Sequence, residues 1–159
     1  MDENHRNQKN CGESSMRIWK NDFKLEQLNA MNPGTIHIAL GIVFTAIGDD
    51  FLEATMPVDE RTKNPPGILH GGASVVLAES LGSVASILVA GPKESIAVGI
   101  EINASHLNSI KSGNVVGRVT PIRLGKSLHV WDIQIRAETA ENKPICRSRL
   151  TVMVKEGKA

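Results

Sequence analysis

Two hydrophobic periods run along this chain, and the switches between them mark its elements. From 72 to 89 small and apolar residues fall on every side of a helix instead of along one stripe, as expected of a helix buried from several directions. Such a helix would run roughly 27 Å at ~1.5 Å per residue. The loop 59–71 leads into it, punctuated by Pro65, Pro66 and Gly67 and closed by the turn His70-Gly71-Gly72; Gly91-Pro92 ends it. Upstream, 35–47 and 51–58 are rich in β-branched and aromatic residues, and Gly48-Asp49-Asp50 parts them, which predicts a hairpin. Downstream, Ile96, Val98, Ile100 and Ile102 alternate with Ala97, Gly99, Glu101 and Asn103, the signature of a strand with its isoleucine side buried. Long strands follow at 114–124 and 127–138, joined at Gly125-Lys126, and a last one at 145–155 follows the turn from Glu141 to Pro144. Near the start a short docking helix begins near Asp22, which can cap it. It carries Leu25, Leu28 and Met31 and stops at Asn32-Pro33-Gly34.

The order is short helix, hairpin, long buried helix, antiparallel meander. An antiparallel sheet covers one fully apolar helix by curling around it, so the expected class is α+β with the sheet wrapped on the helix. One small subunit leaves sheet edges and helix ends uncovered, which predicts a dimer at least, paired edge to edge, and a tetramer as the further option. At 159 residues the chain is expected to form one domain, 16–159, after a flexible polar extension, 1–15. Eighteen Lys and Arg against 17 Asp and Glu, with aromatics at 3%, give no wholesale basic surface for nucleic acid and little for base stacking. Cys11 and Cys146 form neither a CxxC pair nor a disulfide framework, and no apolar run is free of polar residues for a bilayer's thickness. A cytoplasmic protein away from membranes is the expectation. The one ionisable group within the long helix is Glu79, a costly placement unless the carboxylate is paired or used.

The residues LGI (40–42), GDD (48–50), MPVDERT (56–62), GILHGG (67–72), LAESLGSVAS (77–86), VGIEINASH (98–106), LGK (124–126), VWDI (130–133) and CRSRLTV (146–152) together resemble the hotdog-fold acyl-CoA thioesterases. The resemblance runs from about 18 to 154 and is strongest to the branch with a catalytic Glu on the central helix. That branch includes the 4-hydroxybenzoyl-CoA thioesterases of the Arthrobacter type and the 1,4-dihydroxy-2-naphthoyl-CoA hydrolases. It implies that Glu79 is nucleophile or general base, with Ser83 one turn on to orient the water or the carboxylate. Gly71, at the helix N-terminus, would offer its N–H to the thioester oxygen as it turns into an oxyanion. Gly72 would line the same approach. His70 would brace the loop and help polarise the carbonyl, and His106 would line the acyl pocket. Asn64 stands where this branch usually has Gln, shortening the amide's reach by about 1.5 Å, one carbon–carbon bond. The resemblance places Lys126 and Arg123 where relatives have cations for the CoA phosphates, and Leu107 and Asn108 where some relatives carry His or Arg.

The resemblance implies hydrolysis of acyl-CoA thioesters, with aromatic acyl groups favoured and no cofactor beyond the coenzyme A of the substrate. Absence of GxSxG and HExxH agrees with a mechanism needing neither a serine triad nor a metal. Two alternatives stand beside it: proofreading of misloaded thioesters on an acyl carrier protein, and a non-catalytic acyl-CoA binding module. Glu79 speaks against the second alternative, and Asn64 mildly for it. Fold alone separates none of these.

Overall fold

The computed structural model describes residues 17–91, 95–139 and 141–156; the extension expected at 1–15 lies outside them. Its elements are α1 (Leu25–Ala30), α2 (Ile36–Leu40), β1 (Val43–Ile47), β2 (Leu52–Pro57), α3 (Gly71–Ala90), β3 (Ser95–His106), β4 (Asn114–Leu124), β5 (Leu128–Ala137) and β6 (Pro144–Glu156). The strands form one sheet in the order β1-β2-β4-β5-β6-β3, with every pairing antiparallel. The chain has the expected hotdog architecture, a curled antiparallel sheet around one long helix.

The inner face of the sheet is a period-2 stripe. Leu52, Ala54 and Met56 of β2, Val115 and Val119 of β4, Trp131, Ile133 and Ile135 of β5, and Leu150 and Val152 of β6 are all buried. They pack on Leu77, Leu81, Ala85 and Leu88 of α3. Burying each of the larger side chains contributes roughly 1.5–3 kcal/mol. The backbones come close where side chains are missing: a Cβ on Gly82 would lie 2.4 Å from Leu150 Cδ2. Buried polar groups on the helix are matched, as where Trp131 Nε1 donates to Ser86 Oγ at 2.7 Å. By length and hydropathy α3 could cross a membrane, but here it is the core helix beneath the sheet.

Four expectations need correction. The first half of the segment predicted as the earlier hairpin strand is α2, because Gly41 at φ 69° ends a single turn in the left-handed conformation. Gly41 N–H donates to Ile38 O and Ile42 N–H to His37 O, the paired bonds of a Schellman closure, which outweigh the isoleucines' strand preference. The cap of α1 is Lys24, whose N–H donates to Gln27 Oε1 at 2.9 Å, while Asp22 pairs with Arg17 instead. In β3 the isoleucine side is the open one: Ile96, Val98 and Ile100 are 45–56% exposed, and Ala97, Ile102 and Ala104 pack against the core. A register shift between Gly99 and Glu101 moves Ile102 onto the other face. Finally, α3 is not covered all round. Gly72, Val75, Val76, Glu79, Ser83 and Ile87, at helical spacing, stay partly or wholly open.

The two histidines with no role in the resemblance sit in the framework. His37 Nδ1 lies 2.7 Å from Asn32 Oδ1, and its ring meets Phe44 edge-on. His129 is buried against Trp131, and the described residues offer its Nδ1 no partner. Burial lowers the pKa of both; for His129 a bond to the Gly125 backbone opposes the shift in part. Below about pH 6.5 the unfolded chain therefore binds more protons than the native one. Stability is at its full value above that pH and falls as the pH drops through it. Thermal melts from about pH 7.5 to 5 should show a declining midpoint, and His129→Phe should flatten the decline. An acid slope unaltered by that substitution would exclude His129 as its source.

Candidate active site

The loop before α3 is tied down by its own backbone. Asn64 N–H donates to Ile68 O at 2.9 Å, Gly67 N–H to Asn64 O at 2.8 Å, and Ile68 N–H to Asn64 Oδ1 at 3.2 Å. His70 N–H donates to Thr62 O and Leu69 N–H to Ile110 O, so both flanks of the loop are pinned. Asn64 is thus first a turn residue. With one lone pair of its Oδ1 engaged by Ile68, the amide still has both Nδ2 donors to offer.

His70 is the N-cap of α3. Its Nδ1 accepts from Gly72 N–H at 2.8 Å, which fixes Nδ1 as unprotonated and puts the neutral ring's hydrogen on Nε2. The brace expected of this residue is this cap. Among the described residues Gly71 N–H has no acceptor, the usual state of a first-turn amide, and the dipole of a 20-residue helix favours negative charge there. His106, at the end of β3, stands over this glycine: a Cβ on Gly71 would lie 2.7 Å from its Nε2. Asn64, Gly71, Ser74 and His106, with Leu107 and Ile145, line a pocket of about 390 Å³. Ser74 was not among the residues singled out from the sequence; its place one turn after Gly71 on the same face was the available signal.

Glu79 and Ser83 are not in that pocket. Eight residues separate Glu79 from Gly71, about 12 Å of helix rise. Ser83 Oγ donates to Glu79 Oε1 at 3.1 Å, and the carboxylate abuts Gly99 of β3, where a Cβ would lie 2.2 Å from Oε1. Gly99 is a second residue that sequence reasoning passed over, although a glycine inside a strand often marks such an approach. Because β3 is an outermost strand, the carboxylate sits beside an open sheet edge. Gly72 and His70 are exposed and outside the pocket lining. Arg123 and Lys126 lie at the β4–β5 turn, next to Leu128, which pairs with Met153. That is roughly 27 Å along β6 from Ile145, at about 3.3–3.4 Å per residue. One protomer therefore presents a helix-end pocket and, apart from it, a carboxylate and a basic turn.

A family model described as the thioesterase superfamily matches residues 66–142. The 1,4-dihydroxy-2-naphthoyl-CoA hydrolase of Escherichia coli is 52% identical over 137 residues, covering 86% of this chain and 98% of that protein. This chain belongs to the thioesterase superfamily. The proofreading thioesterase EntH of Cronobacter sakazakii is 47% identical over 137 residues, covering 86% of this chain and 98% of its own. Among solved structures, a thioesterase from Haemophilus influenzae superposes with a TM-score of 0.83 at 49% identity, covering 87% of this chain and 95% of that one. The protein is therefore a thioester hydrolase of hotdog fold.

For this thioesterase, the geometry predicts that His70→Ala strips the cap from α3 and lowers stability by about 1 kcal/mol. His70→Asn, which keeps a side-chain acceptor, should recover much of that. Urea titrations of the three proteins measure it, and equal midpoints would mean the cap contributes nothing.

Proposed function

We propose that this thioesterase hydrolyses acyl-CoA thioesters with aromatic acyl groups at a site shared between two subunits. The observation that carries the proposal is the separation of Gly71 from Glu79. One thioester carbonyl cannot meet both ends of a ~12 Å stretch of the same helix. The open edge of β3 and the half-covered stripe of α3 suggest where a second copy docks, each bringing its Glu79 toward the other's helix N-terminus. A tetramer of two such dimers remains compatible with this arrangement.

In this reading the carbonyl oxygen takes its hydrogen bond from Gly71 N–H, and the Asn64 amide adds a second donor. Negative charge developing on that oxygen is stabilised by an unpaired backbone donor and the helix dipole. The Glu79 carboxylate, steadied by Ser83, either attacks the carbonyl carbon directly, giving an acyl anhydride that a water then hydrolyses, or takes a proton from a water that attacks. On both routes water supplies the oxygen of the acid and the proton of the departing thiol. Coenzyme A leaves as the thiol and the acyl group as the free acid. His106 and the apolar wall beside it receive the acyl group, and no cofactor takes part. The aromatic preference is supported by the Escherichia coli relative, whose name states a naphthoyl-CoA substrate. The name of the Cronobacter relative favours a second reading, proofreading of thioesters on a carrier protein in the same site. A panel of acyl-CoA and acyl-carrier substrates assayed by thiol release ranks the two.

Glu79→Gln keeps the size and the bond to Ser83 but removes the nucleophile or base, so kcat should fall by ~10²–10⁴ or more. Retention of a tenth of the activity would make the carboxylate structural. Sharing between subunits has its own test. Gly71→Val blocks the helix end against His106, and mixing it with Glu79→Gln gives heterodimers with one intact site if the halves combine across the interface. Refolded mixtures should then regain on the order of a quarter of wild-type activity. A mixture as inactive as its parents would place both halves within one subunit.

A further inference from the structure

The outer face of the sheet carries a second concavity that shares Leu107 with the pocket at the helix end. It measures about 200 Å³ and is lined by Arg118, Gln134, Arg136, Asn142 and Arg147 as well as Leu107. Period-2 alternation puts these residues on the side away from the core. Arg118, Gln134 and Arg147 are register neighbours across β4, β5 and β6, and Arg136 follows two residues along β5.

The charges there do not cancel. Glu53 Oε1 accepts from both Arg118 and Arg136 at 3.3 Å, and Asp132 is bound by Arg147 through Nε and Nη2 at 3.0 and 3.2 Å. Three guanidiniums thus meet two carboxylates. Both carboxylates are sunk to 15% exposure, whereas the arginine side chains stand 43%, 36% and 62% open above them. Phe51 lies flat under Arg118, 3.4 Å from its guanidinium carbon, which holds that group in place. With five N–H donors each, the arginines keep donors directed to solvent after their internal bonds. The acids therefore orient the guanidiniums and leave an outward surface of positive charge. By contrast, the first pocket contains no Lys or Arg, and neither do positions 107 and 108. Asn108 instead donates to Pro144 O at 2.8 Å, fixing the wall between the two concavities.

We propose that Arg118, Arg136 and Arg147 bind the phosphate groups of the coenzyme A thioester, with the pantetheine arm passing over Leu107 from the helix-end pocket. The proposal rests on the acyl-CoA reading above. Arginine suits the task because its planar fork matches phosphate oxygens in pairs. The thioester end needs hydrogen-bond donors and an apolar wall, and the phosphate end needs fixed cations; the two concavities divide these requirements on either side of one leucine.

The test compares one acyl group delivered as its CoA thioester and as its pantetheine thioester, which has the same arm and no phosphate. In Arg118→Gln/Arg147→Gln, kcat/KM for the CoA thioester relative to that for the pantetheine thioester should fall on the order of tenfold, about 1.4 kcal/mol. The wild-type ratio should fall as salt is raised and the variant's should not. A ratio within twofold of wild type overturns the proposal, as does a fall produced only by Arg123→Gln/Lys126→Gln. Calorimetric titration of free coenzyme A against pantetheine, on wild type and variant, reads the same difference without turnover. It therefore separates failure of this site from failure of the acyl-CoA reading. Circular dichroism melts of the variant accompany both assays, and Arg118→Lys/Arg147→Lys, which keeps the charge, should hold most of the ratio.

Discussion

The structure depends on the burial of α3 against a single face of one sheet. A 20-residue helix this apolar is long enough to cross a bilayer, and in water it must be covered. Leu77, Leu81, Ala85 and Leu88 meet the concave side of β2, β4, β5 and β6, and Gly82 and Gly117 let the layers approach within side-chain contact. Such packing is close to crystalline, so an added methyl at either glycine forces the facing leucine side chain to shift. Yet a sheet of six strands covers only part of a helix. The uncovered stripe and the open edge of β3 are two results of the same geometric limit, and Glu79 lies where they meet.

Small polar residues on α3 make that burial tolerable. Ser86 accepts from the buried Trp131 ring, Ser83 donates to Glu79, and the first-turn amide of Gly72 is taken up by His70. The buried Trp131 N–H would otherwise cost a few kcal/mol to leave unpaired, whereas the exposed Gly72 bond serves as the helix cap. The same economy frees the Gly71 amide: with its neighbour capped by a side chain, Gly71 faces the pocket with its donor unused. His129 is the exception on the sheet side: the described residues offer its Nδ1 no partner, and burial lowers its pKa.

Strand β3 links fold and chemistry. It carries Gly99 in its first half, against which the Glu79 carboxylate rests, and His106 at its end, which stands over the helix N-terminus. The register shift after Gly99 turns Ile96, Val98 and Ile100 outward, making this edge apolar as well as unpaired. An edge of that kind invites pairing with another strand. The proposed chemistry, and the route of the arm across Leu107 to the outer arginines, both follow from what this strand presents at Gly99 and at its C-terminal end.

Much of this was legible from local pattern. The turns at Gly125-Lys126 and from Glu141 to Pro144 located β4 at its observed bounds and β5 and β6 within one residue, because turn residues punctuate long strands directly in the sequence. The all-round apolar run located α3, the ordered motifs located the family, and i and i+4 spacing brought out the contact between Glu79 and Ser83. What sequence could not decide was every relation set by a backbone irregularity or by distance in space. A glycine in the left-handed conformation at 41 turned a strand-like run into α2, and a shifted register at 99–101 reversed the faces of β3. The motif residues around His70 and Glu79 read as one constellation along the chain. The eight positions from Gly71 to Glu79 already set them about 12 Å apart on a helix. Only the tertiary structure put Glu79 against Gly99 of β3 and brought arginines from three strands together on the sheet's outer face, since register across strands is fixed by folding and not by neighbours in sequence.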